Sequence, residues 1–123
     1  MIDSILNSVK KRVNIAAEYT AFDEEIIVEI NSAFARLTSL GLGPVEGFQI
    51  EDESTNWANY ETAGVEAYHL NSVKSYIALK VRQVFDPPGS SYAVSAMERQ
   101  ILELEWLLNT VREAALYPIA EGS

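Results

Sequence analysis

Apolar residues recur along this chain at spacings of three and four, the mark of helices that bury one face. The most regular stretch is Leu70–Arg112. Within it Val94, Met97, Ile101, Leu104, Leu108 and Val111 alternate by three and four, which makes a heptad seam. The pattern predicts a helix from about Tyr92 to Ala114, roughly 34 Å long at 1.5 Å per residue. Leu102, Trp106 and Leu107 lie beside the seam, so the apolar surface is wider than one neighbouring helix would cover. Two contacts are implied, one within the subunit and one between subunits. The preceding helix starts between Val65 and Asn71 and ends near Phe85. Its main stripe is Leu70, Val73, Ile77, Val81 and Val84, with Tyr76 and Phe85 beside it. Pro87-Pro88 stops it, because proline lacks the helical N–H and restricts the residue before it. Ser90 or Ser91 can then cap the last helix.

Two further helices precede these. The first covers about Asp3–Val13, with Ile2, Ile5, Leu6, Val9 and Val13 on one side. Asp3 is its expected cap, and Lys10-Lys11-Arg12 suit the negative end of the helix dipole. The second runs from about Asp23 to Leu40 around Ile26, Ile27, Ile30, Ala33, Phe34 and Leu37. Asp23 is its expected cap, with Phe22 packing on Ile27 as a hydrophobic staple. Gly41-Leu42-Gly43-Pro44 ends it. Residues 45–66 lack sustained periodicity. Phe48 and Ile50 alternate with polar residues as a short strand or hairpin arm would. Trp57 and Tyr60 are one helical turn apart with few apolar neighbours, a pattern met at core edges and interfaces.

The expected architecture is thus all-α. About four helices form a single domain over 1–123, with an irregular arm at about 45–66 and a flexible tail at about 115–123. A chain of 123 residues with 48% hydrophobic residues suffices for one core. No apolar run approaches the ~20 residues of a membrane span. Lys10, Lys11 and Arg12 follow the first apolar residues instead of preceding them, unlike a signal peptide.

Charge narrows the partners. The formal net charge of −9 disfavours tight binding to the phosphate backbone, which needs clustered Lys and Arg. Glu46, Glu51, Asp52, Glu53, Glu61 and Glu66 occur with no basic residue among them. They form either a solvated loop or a functional acidic surface.

Candidate chemistry is sparse. With no cysteine and His69 as the one histidine, most nucleophile–base arrangements are excluded, and no disulfide or thiolate site can form. Glu66-Ala67-Tyr68-His69 matches the Glu-x-x-His pair of di-iron bundles, but those sites need two such pairs and further carboxylates. The alternative is an exposed or interfacial His69. Glu98, Glu103 and Glu105, with Arg99 and Arg112 nearby, read as a solvated charged face or as ion pairs between subunits. No catalytic residue, cofactor or metal site is expected.

With these segments in place, the chain resembles the small head–tail connector (adaptor) proteins of long-tailed bacteriophages. The likeness is carried by Ile2-Asp3-Ser4-Ile5-Leu6-Asn7-Ser8-Val9-Lys10-Lys11 and by Glu29-Ile30-Asn31-Ser32-Ala33. It continues through Leu40-Gly41-Leu42-Gly43-Pro44 to Gly47-Phe48, and through Val73-Lys74 to Phe85-Asp86-Pro87-Pro88. Met97-Glu98-Arg99-Gln100-Ile101 and Glu103-Leu104-Glu105-Trp106 complete it. The resemblance implies a non-enzymatic, cofactor-free helical subunit in a ring of about twelve copies. Such a ring sits at the virion neck after assembly in the host cytoplasm. It docks beneath the portal protein, receives the next neck or tail-completion protein, and leaves a channel through which DNA passes without specific binding. Expected interface residues are Trp57, Tyr60, Arg99 and Trp106. The rival reading is an acidic helical binding module, a nucleic-acid mimic or an inhibitor of a basic protein, suggested by the net charge alone.

Overall fold

The computed structural model describes residues 4–42, 46–61, 70–85 and 87–116. Five helices follow in chain order: α1 (Ile5–Arg12), α2 (Asp23–Ser39), α3 (Trp57–Glu61), α4 (Leu70–Phe85) and α5 (Ser91–Leu116). Helices α2 and α4 pack on each other, α1 lies against both, and α5 packs on α4. No strand occurs among the described residues. The possible short β-arm is not shown there, and the one trace of pairing among the described residues is an isolated bridge between Ser4 and Asn56.

Local chemistry explains the helix ends. Ser4 caps α1, its Oγ accepting from the Asn7 N–H at 3.2 Å, and Asp3 lies outside the described residues. α1 closes with Asn14 in the left-handed region (φ 65°). Its N–H reaches Lys11 O, and that of Ile15 reaches Lys10 O at 2.8 Å. The same double bond closes α2. Gly41 (φ 87°) donates to Thr38 O and Leu42 donates to Leu37 O, both at 2.9 Å. This Schellman ending needs the positive φ that glycine adopts without strain. Gly43 and Pro44 lie outside the described residues. Ser90 opens α5, its Oγ accepting from the Ala93 N–H at 3.1 Å.

One cluster of buried side chains draws on all five helices. It runs from Ile5, Leu6 and Val9 through Ile26, Ile30, Phe34 and Leu37 to Val73, Ile77, Val81, Met97, Ile101 and Leu108. The predicted stripes of α2 and α4 are therefore the core faces, with one exception. Val84 is 56% exposed, while Phe85 beside it packs against the core.

Residues 50–59 are tied down by a series of bonds. The Asn31 side chain forms two bonds with Ile50, donating to its carbonyl at 3.0 Å and accepting from its N–H at 2.8 Å. Ile5 N–H donates to Thr55 O at 3.0 Å. Asn56 and Asn59 cap α3 reciprocally, each side-chain oxygen accepting from the other's backbone N–H, in the manner of a capping box. Trp57 then donates its indole N–H to Ser8 Oγ at 2.8 Å, and Lys74 lies 5.3 Å above its ring.

Two charged residues depart from expectation near the start of α2. Lys10, read from the sequence as part of a dipole-matched basic end of α1, is fully buried. Its Nζ donates to Ala17 O at 2.9 Å, Tyr19 O at 2.7 Å and Asp23 Oδ1 at 2.7 Å. Three N–H bonds thus meet three acceptors, and the 14–22 loop is strapped to α1. Asp23, engaged by Lys10, makes no cap. Phe22 holds the cap position without a side-chain bond, and its ring meets Tyr19 at 5.8 Å and Phe85 at 6.1 Å.

Candidate assembly surface

The last helix has two apolar sides. Met97, Ile101 and Leu108 are buried against the body and Leu104 is half-buried. Around the helix from them, Leu102 is 64% exposed, Trp106 70% and Leu107 41%. Side chains four apart share one row of a helix, so Leu102 and Trp106 form a ridge with Leu107 at its flank. A tryptophan that open to water is uncommon unless something covers it in the assembled state.

Polar bonds fix the rotation of α5 that keeps this ridge outward. Glu105 accepts from the Tyr76 hydroxyl of α4 at 2.6 Å and from the Arg36 guanidinium of α2 at 3.2 Å. Burial would raise the Glu105 carboxyl, but the bonds from Arg36 and Tyr76 outweigh it and hold the group below its usual range. Burial, reinforced by the bond to Glu105, raises the Tyr76 phenol. Glu105 is consequently a three-helix tie and does not belong to a solvated face, whereas Glu98 and Glu103 are exposed.

Between α4 and α5 an open groove of about 970 Å³ runs beside the ridge. Ala78, Leu79, Trp106 and Leu107 line it, with Arg12 and Arg82 among its polar residues. Arg12 reaches the groove from the end of α1 and donates to Ser75 Oγ at 3.3 Å.

Of the four expected interface residues, Arg99 and Trp106 are on the surface of α5. Trp57 and Tyr60 are core residues, 3% and 1% exposed. Their rings lie 6.4 Å and 4.9 Å from that of Phe34. Residues 46–61 do carry apolar company for them, because Phe48 and Ile50 fold back onto α2, so both rings are covered by their own chain and do not lie on an exposed face. Nothing in the sequence signals that Arg12, at the end of α1, meets Ser75 and Arg82 of α4 in this groove, because the two helices lie far apart along the chain.

Among the described residues no group of three or more His, Asp or Glu could hold a metal ion. Glu66 and His69 lie outside those residues. No described helix is long and apolar enough to cross a membrane.

A family model described as phage connector protein matches residues 5–115, a span that takes in all of α1 to α4 and nearly all of α5. The chain belongs to the phage connector protein family. It is a head–tail connector-type protein, a structural virion component whose work is contact with other head and tail proteins. None of the curated proteins and none of the solved structures matches this connector.

Proposed function

We propose that this connector assembles side by side into a ring of about twelve copies at the virion neck. The ring would sit beneath the portal protein and receive the next neck or tail-completion protein, with a DNA channel at its centre. The observation that carries this reading is the Leu102–Trp106 ridge, apolar surface that the subunit's own fold leaves uncovered. Arg99, one turn before Leu102, supplies a charged flank to the same surface. Assembly in the host cytoplasm and the absence of any enzymatic step or cofactor belong to the same proposal.

The exposed turn Glu51-Asp52-Glu53 suits a channel lining, where like charge repels DNA phosphate and lets the duplex slide. It is a shaped turn, with the Ser54 N–H donating to Asp52 Oδ1 at 2.8 Å. Electron microscopy of the purified protein, alone and mixed with portal protein, tests the proposal. Closed rings in either sample support it. Monomers in both, at concentrations that saturate the portal, would contradict it.

A further inference from the structure

We propose that the α4–α5 groove of one subunit receives the outer face of α2 from a second copy of this chain. The inference rests on the ring reading and names the two surfaces that meet.

The groove has an apolar lining from Leu79, Trp106 and Leu107, and two arginines, Arg12 and Arg82, among its polar residues. Glu103 is the one acid among its described lining residues. The outer face of α2 has the complementary character. Val28 is 59% exposed there, and the exposed Ser32 and Ala35 continue the row with small side chains. A flat row of that kind lets a neighbouring aromatic lie close against the helix. Glu24 and Glu25 are exposed in the first turn. The sole basic residue of α2 is Arg36, already bonded to Glu105.

Net charge makes such matching necessary. Copies that each carry −9 repel unless the facing patches differ in sign. A groove with two arginines against an acidic helix start is a pairing of unlike sign that these surfaces permit.

Each face is turned away from the core stripe of its own helix. Ser75 and Leu79 are each two residues from core-facing Ile77, about 200° around α4, so the groove opens on the side of α4 turned from its core stripe. Val28 stands in the same relation to the buried Ile26 and Ile30 of α2. A contact between two different faces of identical subunits is heterologous, and such contacts close into rings when the rotation permits.

The absence of cysteine allows a direct test. Val28→Cys and Gln100→Cys, both at exposed positions and the second in the groove lining, are made separately on full-length chains of distinguishable mass. They are mixed under the conditions in which wild-type rings form and treated with a flexible bis-maleimide. The expected result is several-fold more mixed crosslink than either like-with-like product, and a covalent ladder from the double variant. Wild-type rings without an excess of mixed product would overturn the pairing while leaving the ring intact. A wild-type protein that never assembles, alone or with portal, would overturn the ring reading and the pairing with it.

Discussion

The Tyr76 hydroxyl donates to Glu105 Oε2 across 2.6 Å, and this bond joins the buried face of α4 to the helix that carries the exposed ridge. Arg36 of α2 grips the same carboxylate, so one side chain sets how α5 is turned against two others. Bonds to a charged group are worth about 1.5–3 kcal/mol and Gln keeps a neutral acceptor, so replacing Glu105 by Gln should cost about 1–2 kcal/mol. Urea unfolding with unchanged m-value checks this.

The same carboxylate gives the connector an acid-sensitive contribution. Its pKa is depressed in the folded state, so the contribution is present above the unfolded value of about 4.3. It is lost as pH falls through the lower, folded value. The difference in stability between wild type and Glu105→Gln should therefore shrink as pH drops below that unfolded value. A constant difference down to acid unfolding would contradict the account.

Lys10 should be costly to remove. Lys10→Met keeps the apolar stem but leaves Ala17 O, Tyr19 O and Asp23 without their donor. The loss is about 3 kcal/mol, as for breaking a buried pair from one side. Hydrogen exchange should show the 14–22 loop opening first.

Tyr60 predicts the opposite sign. Its hydroxyl is buried and has no partner among the described residues, and burial pushes its pKa up to about 12. Removing an unsatisfied polar atom is neutral or stabilising, so Tyr60→Phe should raise stability by up to about 1 kcal/mol. The raised phenol also means that wild type loses stability as pH climbs above about 10, where the unfolded tyrosine ionises first. The variant should lose less.

The two tryptophans of the chain should behave differently. Trp57→Ala empties a core site and should cost about 3–5 kcal/mol, with its blue-shifted emission lost. Trp106 is open to solvent, so iodide should quench it in the free subunit and fail to quench it in the assembled protein.

Much of the fold was legible because helices advertise themselves through local periodicity. Ile26, Ile30, Ala33 and Leu37 repeat at helical spacing, and their shared face is the core face of α2. The end of α4 at Phe85 and the start of α5 at Ser90 followed from two prolines and a serine. What stayed hidden depends on partners distant in sequence. Nothing in Lys10-Lys11-Arg12 says that the first of the three meets Asp23 thirteen residues on, while Arg12 turns toward Ser75. Trp57 seemed short of apolar company because its neighbour Phe34 belongs to another helix. For the assembly surface the ridge was readable from α5 alone, since Trp106 falls off the seam. The groove beside it was not, because α1, α4 and α5 build it together.

The central claim is that Trp106 is left uncovered by its own fold because a neighbouring subunit covers it. The most direct measurement compares wild type and Trp106→Asp by electron microscopy and sedimentation in the presence of portal protein. The account predicts an unchanged helical spectrum, stability within about 0.5 kcal/mol of wild type as for an ordinary surface substitution, and loss of rings. A variant that assembles as the wild type does would contradict it.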